Sequence, residues 1–342
     1  MIELKGDELV FRFPEVHEKA RLRISFQRTL RIPDDNNDYP LPPGLGRFPL
    51  RHVDDFADRV PRRWLEHGGV MFPMYQSEAM WIDFESDWIK GHSAQYPFAV
   101  KVATGKINVV TGEPWTRTLH NDPQDYMVIP EQPWLDGYCV EKGVIRQFVA
   151  MPLGAGYSAE EQITGEAEHG GIQIIAYPMK RKAFERYFPP SREDDRCSFP
   201  TVALQEEVLC GPAMGLAPGG RMRQMIYEDP YELDDWDQEH FSRCFVHIAN
   251  SLVWRSITGE APPTVPPTAK EYTDAGLPWF DYYDETLNAV EGSSTLQGLK
   301  SVLTLGKEKK DVPLPENCPV TPEIVIRLRR GLTKDQVREG AF

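Results

Sequence analysis

Glu166, Glu168 and His169 lie within four residues of one another in Thr164-Gly-Glu-Ala-Glu-His-Gly-Gly171. Glycines on both sides allow a backbone to approach a ligand closely. Two carboxylates and an imidazole that titrates near neutrality can supply a general base, or one or two ligands to a metal ion. In extended chain, Glu166 and Glu168 project to one side and His169 to the other. Convergence on one reacting atom therefore requires a bend at Gly165 or Gly170. These three residues are the candidate catalytic set, with the metal and any cofactor left unknown. The competing expectation is a polar loop leading into the apolar strand Ile172–Tyr177.

Just upstream, Gly154-Ala-Gly-Tyr-Ser158 follows a strand-like run, Val144–Leu153, and Ser158-x-x-Glu161 has capping-box spacing. A phosphate loop works by aiming backbone N–H groups and a helix N-terminus at an anion, usually with a lysine nearby. Here Glu160, Glu161, Glu166 and Glu168 crowd the same stretch, and it contains no lysine. Strand, tight turn and one helical turn describe it better. Any small-molecule site beside residues 154–171 is expected to take a neutral or cationic ligand.

The remaining candidates are weaker. His240 and His247 are seven residues apart, a rise of ~10.5 Å on a helix, too far for two ligands of one ion. A core-facing His247 bonded to a loop is expected instead. Gly91-His-Ser-Ala-Gln95 lacks the second glycine of a nucleophile elbow and leads into Pro97 and a strand. Glu228–Glu239 holds seven acids in twelve residues without the spacing of a calcium loop. It reads as an acidic surface at a helix start, with Arg221 and Arg223 nearby. Leu277-Pro-Trp-Phe-Asp-Tyr-Tyr-Asp284 is the densest aromatic cluster. Exposed, it would form a partner or carbohydrate platform; buried, it would pin the C-terminal tail to the body.

Bulk properties bound the partners. The net charge of −14 over 342 residues opposes phosphate backbones. The one basic cluster, Arg327, Arg329, Arg330, Lys334 and Arg338, is diluted by Asp335 and Glu339. No nucleic-acid partner is expected. No apolar run approaches the ~18 residues of a membrane helix, and the start of the chain lacks a signal-peptide pattern, so no membrane association is expected either. Five widely spaced cysteines (Cys139, Cys197, Cys210, Cys244, Cys318) fit neither a disulfide framework nor a zinc ribbon. They point to free thiols in a reducing cytoplasm.

The elements that must position these residues are mostly strands. Thirty prolines punctuate runs rich in β-branched and aromatic residues. Hairpins are expected at Phe98–Val102 with Ile107–Val110 and at Gly137–Val140 with Val144–Leu153. A helix over Asp54–His67 should be split by Pro61. The strongest helical pattern covers Trp236–Thr258, where Phe241, Cys244, Phe245, Ile248, Leu252 and Val253 form a stripe and Gly259 a stop. The expected fold class is α+β and β-rich: mostly antiparallel sheets, as a sandwich or twisted meander, with one long helix near 236–258 and a helical C-terminal tail. Residues 1–260 form the main domain. Residues 261–342 form a proline-rich strap and a tail packed on it.

Such a chain is expected to be a soluble, cytoplasmic binding or self-assembling module with a protein partner. One alternative is an acid–base or metal-assisted hydrolase using Glu166, Glu168 and His169. The other is a carbohydrate-binding module built on the tryptophans.

Overall fold

Leu22, Ile24 and Phe26 are fully buried along the strand Arg21–Thr29, and alternate at its start with the half-buried Arg21 and Arg23. A computed structural model describes residues 1–190, 213–282, 287–311 and 318–328. In it, Arg21–Thr29 pairs antiparallel with Ala79–Ser86 over eight residues and with Glu8–Arg12 on its other edge. Ala79–Ser86 also meets Val144–Pro152. That strand forms the expected hairpin with Gly137–Glu141 and lies along Ala213–Arg223.

A second set centres on Ser242–Asn250, which lies between Ile172–Pro178 and Val70–Met74. Ile172–Pro178 in turn carries Phe98–Thr104, whose expected hairpin to Ile107–Asn108 is present. Ala213 opposite Ala249 joins the two sets into one network. Phe26 stacks on Phe72 at 5.1 Å and Phe13 lies 5.8 Å from Phe98, so side chains from both sets share one core. The fold is β-rich with a large, mainly antiparallel sheet. Its ladders do not run in chain order, because Val70–Met74 joins Ser242–Asn250 as a parallel neighbour.

The expected helix over 236–258 is not formed. Residues Ser242–Asn250 are a strand, and only Ser251–Thr258 is helical. Cys244, Val246 and Ile248 are buried in alternation with the exposed or half-buried Arg243 and Phe245, which is strand periodicity. A central strand gains backbone hydrogen bonds on both edges, and β-branched Val246 and Ile248 suit it. Tertiary pairing therefore overrides the helical reading. The Asn250 side chain caps the shorter helix by accepting from the Leu252 N–H at 3.0 Å. Asp235 closes a 3-10 turn with Glu232 instead of opening a helix. Gln238 accepts from the Leu119 N–H at 3.1 Å.

Pro61 does split Asp54–His67, leaving a 3-10 turn at Asp54–Phe56 and a helix at Arg62–His67. Beyond residue 260, Tyr75 donates to the Pro263 carbonyl at 2.9 Å and Arg28 to that of Thr264. Trp279, Leu296 and Leu299 are buried in the main core. The tail helices Ser294–Gln297 and Val302–Lys309 are short. Among the described residues, no helix is long and apolar enough to cross a membrane.

Candidate functional site

Gly154 and Gly156 adopt left-handed backbone conformations (φ 92° and 74°) after the strand Val144–Pro152. This turns their N–H groups inward, where they donate to Oε1 of Glu161 at 2.9 and 2.7 Å. The Ser158 N–H and hydroxyl donate to Oε2 at 3.1 and 2.7 Å, and Ser158 Oγ accepts from the Glu161 N–H at 3.2 Å. The turn is thus an anion nest of the kind that cradles phosphate, but its anion is the chain's own carboxylate. The expected capping box is present and already holds that anion.

The tail clamps the same turn. Lys309 donates to the Ala155 carbonyl and lies 4.7 Å over the Tyr157 ring, while Tyr157 donates to Asp311. Gln162 accepts from the Lys300 N–H at 2.8 Å. Glu160 is buried, and its Oε2 accepts from the N–H groups of Gly170 at 2.9 Å and His169 at 3.3 Å. The second pair of glycines is therefore held from beneath by a carboxylate as well.

The predicted trio separates. Glu166 and Glu168 are exposed. Glu168 lies 3.5 Å from Lys106 Nζ and 3.0 Å from His169 Nε2. The latter approach is too oblique for a hydrogen bond, so Nε2 is buried without one. Glu168 and His169 meet, while Glu166 stands exposed, its N–H donating to Thr164 Oγ1 at 3.1 Å. Among the described residues, no group of three or more His, Cys, Asp or Glu is arranged to hold a metal ion.

A cleft of about 270 Å³, to which none of residues 154–171 contributes, is lined by Leu4, Leu9, Val70 and Phe245, with Glu3, His52, Asp54, His67 and Arg243 on it. The His67 ring stacks on Phe245 at 4.6 Å and lies 5.8 Å from that of His169. Burial, then the nearby His169 charge, lowers the His67 pKa below its usual 6.5. The Arg243 guanidinium lies 4.9 Å over the same Phe245 ring. Gly69 (φ 88°) is needed here, because a side chain at this position would strike the Phe245 carbonyl. Cys244 also lines the cleft, but burial pushes its thiol up to about 12, so it is no nucleophile. These residues are scattered over four segments, and only the alternation along Ser242–Asn250 places Arg243 and Phe245 on one face.

A second cluster was also missed. Buried Asp125 accepts from His120 Nδ1 at 2.8 Å and pairs with buried Lys101, which donates to Thr116 Oγ1 at 3.0 Å. Burial lowers the Lys101 pKa. The bonds to Thr116, Thr118 and His120 make this a staple for the 116–125 loop.

The other candidates resolve structurally. His247 is buried, with Nε2 3.0 Å from the Gly68 carbonyl and its ring stacked on Trp64. Burial pushes its pKa down to about 4. Residues 91–95 turn a small hairpin between Trp88–Ile89 and Ala94–Gln95. Within the acidic run, Asp229 accepts from Trp236 Nε1 at 2.7 Å and Asp235 pairs with Arg186 at 2.6 Å. Arg221 bonds Asp38 and Glu141, and holds the Glu141 carboxyl down to about 2. Arg223 pairs with Asp281. Trp279 is buried and Phe280 and Tyr282 are half-buried, so these rings form no open platform. Cys139, Cys244 and Cys318 are free thiols. Cys197, Cys210, Tyr283, Arg329, Arg330, Lys334 and Arg338 lie outside the described residues, as does the Arg327 side chain.

Comparison of the chain with family models, with curated proteins and with solved structures finds no match.

Proposed function

We propose that the protein is a binding module of the protein-interaction type, self-association being the form of this reading that the chain alone can test. The observation that supports it is the state of residues 154–171. Their anion-binding donors and two of their four glutamates are engaged inside the fold; of the remaining two, Glu168 meets His169 on the surface and Glu166 stands apart, so the three do not converge in a concave pocket. Chemistry of the general-base type needs such convergence.

Trp88 adds a surface argument. It is 66% exposed on a hairpin hydrogen-bonded apart from the main sheet. Tryptophan is the residue type most enriched among interface anchors, because a large rigid surface is buried at small entropic cost. Sedimentation velocity of wild type and Trp88→Ala over about 1–100 μM spans the range in which a micromolar contact appears. Wild type is expected to associate with rising concentration and the variant to remain monomeric. A wild type that stays monomeric throughout, or a variant that associates equally well, would remove self-association through this hairpin.

A further inference from the structure

Arginines in this acidic molecule commonly end on carboxylates: Arg23 on Glu85, Arg51 on Glu260 and Arg221 on Glu141. Arg243 does not. Among the described residues no carboxylate comes within ion-pair distance of it, and it lies over the Phe245 ring beside the cleft. A guanidinium stacked on an aromatic face keeps its in-plane donors free for a planar, two-oxygen partner.

The rest of the cleft narrows the choice. Glu3 would repel an anion, but it is 2.8 Å from Lys5 and 3.1 Å from Arg12. The adjacent Lys5 ammonium is the largest influence holding its carboxyl below the usual range. Its charge is therefore largely neutralised locally. Half-buried Leu4 and Phe245 offer apolar surface above the buried Leu9 and Val70, and the His67 ring stacks on Phe245. About 270 Å³ lies just under the ~300–1,000 Å³ typical of ligand pockets, which suits a molecule of amino-acid size. Asp54 supplies an exposed carboxylate on the same cleft.

We propose that this cleft binds a small carboxylate with a branched apolar body, its carboxylate on Arg243 and its body against Leu4 and Phe245. Two sources share that chemistry: a short fatty acid, and an apolar α-amino acid whose ammonium would face Asp54.

Isothermal titration calorimetry with 4-methylpentanoate, 4-methylpentanamide and leucine, each up to ~10 mM, tests the site in a weak-affinity range. At least one of the two carboxylates should bind saturably. The amide should bind at least roughly tenfold more weakly than the tighter of the two carboxylates, the scale of one charge-assisted pair. Arg243→Gln should weaken the carboxylates by a similar factor with an unchanged melting temperature. Tighter binding of leucine, lost in Asp54→Asn, identifies an amino acid, whereas tighter binding of 4-methylpentanoate identifies a fatty acid. Either order supports the site. The proposal is overturned if neither carboxylate binds, if the amide binds as well as the tighter carboxylate, or if a folded Arg243→Gln binds like wild type. The amide comparison uses wild-type protein only, so it does not depend on how the variant folds.

Discussion

The turn at 154–171 and the cleft over Phe245 are neighbours joined by the contact between His169 and His67, and they use polar groups in opposite ways. The turn concentrates four glutamates, a serine and a histidine in one stretch, and the fold draws Glu160, Glu161 and Ser158 inward to hold its own backbone. The cleft draws single residues from distant strands and leaves Arg243 and Asp54 without a partner of opposite charge among the described residues. A dense polar motif can thus be a structural device, while a sparse set assembled by strand pairing stays available for a ligand. Local density of chemistry-bearing residues measures neither.

The largest effect expected lies at His247, farther along the strand that carries Arg243 and Phe245. His247 has a folded pKa near 4, pushed down by burial from 6.5. Between those values the unfolded chain binds the proton and the folded one does not, so stability rises with pH across that window. The contribution is complete above pH 6.5 and is lost as pH falls towards 4, with a limit of roughly 3 kcal/mol for a shift of this size. Urea denaturation at several pH values should show that slope, and His247→Gln should flatten it. An unchanged slope in a folded His247→Gln would mean that the ring is not sealed against Trp64 and Gly68.

The turn carries the next effect. Glu161→Ala removes the acceptor from three N–H groups and one hydroxyl, part-buried except for the Gly154 N–H. The loss should be about 2 kcal/mol, because hydrogen bonds to a charged group exceed neutral ones but water can reach part of this turn. A midpoint shift in urea at constant slope measures it. A variant as stable as wild type would show that the nest does not need its internal anion, and the contrast between the regions would weaken.

How much of this was legible follows the same division. Ser158-x-x-Glu161 was readable because a capping box is a local contract between residues three apart. The hairpin at Gly143 and the break at Pro61 were equally local. The strand Ser242–Asn250 was misread because Phe241, Cys244, Phe245 and Ile248 satisfy a helical period, while Cys244, Val246 and Ile248 satisfy a strand period over the same short window. Only the neighbours Ile172–Pro178 and Val70–Met74 decide between them, and nothing local announces a partner about 175 residues away. The cleft was hidden for the same reason. Arg243 shares the cleft with His67 and Glu3 through long-range packing that a single sequence does not print.

The smallest prediction concerns the contact that joins the regions. Burial is the first cause of the lowered His67 pKa and the His169 charge the second, with Arg243 and Lys106 adding to it in the same direction. His169→Ala removes only the second cause. The His67 ring, followed by NMR, should therefore titrate below 6.5 in wild type and move part of the way back in the variant. Because the folded value is depressed, His67 adds stability that is present above 6.5 and declines as pH falls through the folded value; His169→Ala should shrink that contribution. The ring is substantially exposed, so solvent screening keeps the effect small. It is legible as a shift in titration rather than as a change in melting. If His67 titrates identically in wild type and His169→Ala, the two imidazoles are electrically independent. The turn and the cleft are then adjacent without being coupled, and a ligand on Arg243 would not be sensed at residues 164–171.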